Sequence, residues 1–146
     1  MAFPAPQLSL KGRALRLLSQ REHSRAELER KLAAHEAEPG TLARALDELQ
    51  AKGFISEERV VESVIHRRAG KLGTARVQQE LLAKGLSSQA MIGALEQLRS
   101  TELERAREVW SRKFGEPASD PKERARQMRF LLSRGFAAEV VRKVTG

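Results

Sequence analysis

The sequence contains three histidines, His23, His35 and His66, and none lies three or four residues from another. A helical metal pair needs that spacing, because only side chains at i, i+3 and i, i+4 share a face. His23, beside Ser24, reads as part of a turn, and the adjacent acids Glu57 and Glu58 read as a helix start rather than a coupled carboxylate pair. There is no cysteine, which excludes thiol catalysis, thiolate metal sites and disulfides. The glycine-rich phosphate loops GxxxxGK[ST] and GxGxxG and the nucleophile elbow GxSxG are absent too. No catalytic centre, cofactor or metal is expected.

What remains is positive charge. Lys and Arg number 27 against 19 Asp and Glu, a net charge of +8. The last third, residues 101–146, holds 11 basic and 7 acidic side chains. Lys122, Arg126 and Arg129 are spaced four and three apart, so a helix starting at Pro121 carries them on one face. Ala125, Met128 and Leu132 are expected to form the apolar side of that helix. Arg67, Arg68 and Lys71 close one helix, and Arg76 opens the next across a glycine turn. Arg13 and Arg16 share a face, as do Arg105 and Arg112. Singly, each reads as solvated helix surface or as compensation of a helix C-terminus. As a group repeated along the chain they read as an anion-binding strip, whose phosphate contacts would be salt-dependent and largely sequence-independent. Phe54, Phe130 and Phe136 sit at core-like positions, so stacking of bases on aromatics is not expected.

The elements that must position these cations are helices. Hydrophobic content is 40% with 32% charged residues, aromatics are only 4%, and good helix formers dominate. Glycine turns at Gly40, Gly85 and Gly135 recur at intervals of 45 and 50 residues, each between two apolar stripes. In that register the chain is all-α, with three tandem three-helix repeats in an elongated, curved array. The spacing predicts helices near 11–20, 24–36 and 41–52, then 56–70, 74–84 and 87–99, then 101–114, 121–134 and 137–144. Ser24 with Glu27 makes a capping box, Ser56 precedes two acids, and Asp120 precedes a proline at the first helical position. Gly53, Gly73, Gly85, Gly115 and Gly135 read as stops. The organisation expected is a flexible tail over 1–9 and repeats over 10–53, 54–99 and 100–146. The stripes at Leu15/Leu18, Val60/Val64 and Val109 are expected to pack the repeats.

The opening "MAFPAPQLSLKG" lacks the apolar run of a signal peptide, and no stretch approaches the roughly 20 apolar residues that cross a bilayer. A cytoplasmic, monomeric protein is expected. A helix-turn-helix regulator reading duplex DNA directly is the alternative, but "SSQAMIGALEQL" offers no Lys or Arg before Arg99 to reach base edges.

Three stretches in order carry a family resemblance: "HSRAELERKL", "LQAKGFISEERVVESVIHRRAGKLGTARVQQELLAKGL" and "RKFGEPASDPKERARQMRFLLSRGF". They are similar to the successive units of the RecX regulatory proteins, and the similarity spans about residues 11–145. Departures are Val60 and Val64 in place of an aromatic, His66 in place of a basic residue, and Thr74 where proline is common. The resemblance implies a regulator of the RecA recombinase in homologous recombination, DNA repair and the SOS response. It would lodge in the groove of RecA–DNA filaments, limiting their extension, strand exchange, ATP hydrolysis and co-protease role. Contacts to the RecA filament or to its single- or double-stranded DNA, largely independent of sequence, are expected at Arg67, Arg68, Lys71, Arg76, Lys122, Arg126 and Arg129.

Overall fold

The computed structural model describes residues 7–146. Residues 1–6, most of the expected tail, lie outside the described residues. Those described form nine α-helices and no strand: α1 (Leu10–Gln20), α2 (Arg25–Leu32, extended by a 3-10 turn, Ala33–His35), α3 (Thr41–Ala51), α4 (Glu57–Arg68), α5 (Thr74–Ala83), α6 (Ser88–Ser100), α7 (Glu102–Lys113), α8 (Pro121–Ser133) and α9 (Ala138–Thr145). The fold is all-α and built of three-helix repeats. Local chemistry fixes the helix ends. The Ser24 hydroxyl accepts from the Glu27 amide while the Glu27 carboxylate accepts from Ser24, closing the capping box. Asp120 accepts from the Glu123 amide at 2.8 Å, with Pro121 at the first helical position.

The chain divides into two compact units, one running through Val60 and the other from Val61 to Gly146. In the first, Leu28, Leu46 and Leu49 are fully buried with Ala14, Leu32, Leu42 and Ile55, and Leu15 and Leu18 pack on this unit's own core. Each such leucine contributes about 1.5–3 kcal/mol by leaving water. His23 is buried here and fully satisfied. Its Nε2 lies 3.1 Å from Lys31 Nζ, which only donates, so Nδ1 carries the proton toward the Arg21 carbonyl at 3.0 Å. Burial, then the charges of Arg21 and Lys31, push its pKa down.

In the second unit Val64, Val77 and Leu81 are buried, and Ala106, Val109, Leu131, Phe136 and Val141 form a further core with Trp110, Met128 and Phe130 against it. Gln127 is buried among them, its Oε1 accepting from Trp110 Nε1 at 2.9 Å and its Nε2 donating to the Glu116 carbonyl.

Several expectations from periodicity fail here. Leu132 is exposed, and α8 turns Gln127 and Leu131 inward instead. Phe54 is also exposed rather than core. Gly73 is no helix stop. It has extended backbone (φ −76°, ψ 168°) and stands at the N-cap of α5, its amide donating to the Arg134 carbonyl at 2.8 Å. A Cβ on Gly73 would fall 2.3 Å from the backbone of Gly135, so glycine is required by close approach rather than by φ.

Candidate anion-binding site

Beside its apolar core, the second unit has helix ends bridged by two charged side chains of α7. Glu102 is buried, and its Oε1 accepts from the Thr74 amide at 2.7 Å while Oε2 accepts from the Ala137 amide at 3.2 Å. Thr74 and Ala137 open α5 and α9, whose N-cap positions, Gly73 and Ala137, supply no side-chain cap. One carboxylate thus serves the positive ends of two helices from the first turn of a third. One turn later, Arg105 faces the opposite kind of terminus. Its guanidinium donates to the carbonyls of Ala69, Leu72 and Leu98, where α4 and α6 finish, and to Thr74 Oγ1. Burial lowers its pKa, opposed by the nearby Glu102 charge, but a guanidinium stays protonated. Arg105 is therefore structural and cannot join a surface strip with Arg112, as its spacing had suggested.

Beside this clamp, α4, α5, α7 and α8 surround a groove of about 940 Å³. Arg68, Lys71 and Arg76 line it, as expected from sequence, together with Arg112, whose spacing had paired it with Arg105, and with Lys113 and Arg134, which the sequence did not single out. Against these six stands a single carboxylate, Glu80. Arg68 Nε bonds Glu80 Oε1 at 3.0 Å, while Arg67 comes no closer than 3.8 Å to Oε2, a buried oxygen without a hydrogen bond. Two more arginines are anchored on backbone. Arg76 Nη1 donates to the Ser133 carbonyl at 2.7 Å, and Arg112 Nη2 donates to the Gly70 carbonyl. Lys71 is exposed, with no side-chain partner among the described residues. The floor is apolar, with Leu72, Val109 and Phe130. Lys113 and Arg134 lie over the Phe130 ring at 5.3 and 4.8 Å from its centroid, and Phe114 meets it edge-on at 5.5 Å.

Lys122, Arg126 and Arg129 gather elsewhere, around a smaller depression of about 250 Å³ with Ser119, Asp120 and Glu123. This strip is partly neutralised, since Arg126 makes a two-pronged pair with Glu123, both contacts at 3.0 Å, which raises its pKa. Arg126 also lies over Phe114, 5.5 Å from the ring centroid. Arg67 is exposed on the last turn of α4 and lines neither hollow. The sequence signals for Lys113 and Arg134 were masked by their places at helix ends, where basic residues ordinarily offset the dipole.

Residues 11–49 match a family model described as the first three-helix domain of RecX, and residues 100–145 match the third. Regulatory protein RecX of Leptothrix cholodnii is 60% identical over 144 residues, covering 99% of this chain and 92% of the relative. The chain belongs to the RecX family. A further RecX regulatory protein, from Ralstonia nicotianae, is 48% identical over the same length and is covered to 91%. Among solved structures, a crystal structure of RecX from Lactobacillus salivarius superposes with a TM-score of 0.76 at 17% identity, covering 92% of this chain and 91% of that one. A second crystal structure of regulatory protein RecX also reaches 0.76, at 20% identity, covering 92% of this chain and 70% of that one. Both likenesses bear on the fold alone. RecX relatives are named regulatory proteins, and no described helix of this RecX-family chain is long and apolar enough to cross a membrane. The departure at Thr74 now has a consequence. Its amide feeds Glu102, a bond that a proline there could not make.

Proposed function

We propose that this RecX-family protein binds RecA–DNA filaments and restrains their extension, and with it recombination, ATP hydrolysis and the co-protease activity. It would do so by lodging in the filament groove. The observation that carries this reading is the clustering of Arg68, Lys71, Arg76, Arg112, Lys113 and Arg134 on one unit with only Glu80 opposing them, on a chain whose relatives are regulators. A long polyanionic assembly offers such a surface many weak contacts, which combine through effective concentration. The remaining expected contacts, Arg67, Lys122, Arg126 and Arg129, would widen the footprint.

The test is RecA-dependent ATP hydrolysis on single-stranded DNA, with this protein titrated in. Loss at low ratio indicates blocked filament growth, and loss only near saturation indicates groove occupancy. Undiminished hydrolysis at saturating protein overturns the proposal. Tight preference for one duplex sequence over RecA-coated strands would establish the direct DNA-binding alternative.

A further inference from the structure

We infer that the groove between α4, α5, α7 and α8 receives an extended acidic peptide carrying an apolar side chain, rather than the sugar-phosphate backbone of a nucleic acid. The inference rests on the filament reading only in taking these cations to serve an anionic partner.

Two features choose between the two kinds of polyanion, and a third suits any anion that offers two oxygens. The first is the floor. Leu72, Val109 and Phe130 lie beneath the cations, and burying a leucine- or phenylalanine-sized side chain there is favourable, whereas a phosphate chain has nothing apolar to place on it. The second is the state of the aromatic. The Phe130 ring already carries Lys113 and Arg134 over it and Phe114 at its edge, so a base could stack only by displacing one of them. The third is the posture of the arginines. Arg68, Arg76 and Arg112 are each held by one bond, to Glu80, Ser133 and Gly70, and every guanidinium keeps further N–H donors free for a planar, two-oxygen acceptor. Held in this way they lose little side-chain entropy when a carboxylate arrives. With six cations against one carboxylate, charge complementarity selects an acidic occupant. Its carboxylates would meet the rim while its apolar residue settles against Leu72 and Val109.

The experiment uses the full chain and a short, capped, fluorescein-labelled peptide with one leucine flanked by glutamates and aspartates, read by anisotropy at two salt concentrations. Saturable binding is expected, weakened about tenfold or more by Lys71→Glu or Arg134→Glu, both exposed positions. Replacing the peptide's leucine by glutamate should also weaken it, and oligo-dT of equal length should compete poorly. No saturable binding overturns the inference. So does displacement by oligo-dT at lower concentration than unlabelled peptide, which would make the groove a single-strand nucleic-acid site. Equal weakening by Arg126→Glu/Arg129→Glu, outside the groove, would reduce the binding to diffuse charge and likewise overturn it. Peptide binding is read without RecA, so it can fail while filament inhibition stands, and the reverse.

Discussion

Removing the Glu102 carboxylate tests whether one side chain couples α5, α7 and α9. Glu102→Ala leaves the Thr74 and Ala137 amides without their acceptor, and neither helix has a side-chain cap of its own to substitute. Two hydrogen bonds to a buried charged acceptor are worth about 1.5 kcal/mol or more each. The favourable placement of a negative charge at helix N-termini adds about 0.5–1 kcal/mol. The loss should therefore total about 3–5 kcal/mol. For a unit the size of Val61–Gly146 that corresponds to a fall in Tm of about 15–25 °C or more. Glu102→Gln keeps one acceptor oxygen and should lose about half as much. The single tryptophan, Trp110, packs on the core of this unit, so its fluorescence reports unfolding there directly while circular dichroism follows the whole chain. A fall of less than about 3 °C for Glu102→Ala, or Gln costing as much as Ala, would refute the shared-cap account.

Other outcomes follow from the same geometry. Gly135 has φ +91°, and a Cβ there would lie 2.2 Å from Arg76 Cγ, whereas Gly53 has φ +84° with open space around it. Gly53→Ala should cost only the backbone term of about 1–2 kcal/mol, and Gly135→Ala should cost about 1–3 kcal/mol more by overpacking; equal melting temperatures would contradict the close approach. Because burial lowers the His23 pKa, the folded protein resists protonating it and the unfolded chain does not. That contribution is complete above the ordinary value of 6.5 and is lost as pH falls below it, so wild type should lose Tm in that window and His23→Gln should not. Arg126→Glu with Arg129→Glu should weaken filament binding without unfolding the protein, lowering the salt slope by about one for each phosphate no longer neutralised. Unchanged binding would remove this face from the footprint.

Helix placement was readable because its determinants are local. Ser24/Glu27, Asp120/Pro121 and the glycines after α5 and α8 act within a few residues of the ends they define, and the observed helices fall within a few residues of the predicted ones. The wrong apolar assignments, Leu132 and Phe54, share one cause. Periodicity reports that a residue can face a core, but which arc of a helix is covered depends on what packs there, and α8 spends part of its inner arc on Gln127 to satisfy Trp110.

The sequence by itself determined the helical class, the repeat, the excess of positive charge and the lack of recognisable catalytic motifs. Only the tertiary structure decided which cations act together. Arg76 anchors on Ser133, 57 residues away, and Arg112 on Gly70, 42 residues away. Arg105 looked like a surface charge and is instead consumed by carbonyls at two helix ends. A basic residue at a helix terminus has the same local signature whether it faces water, a backbone carbonyl or a groove. The difference lies in neighbours that only long-range packing supplies.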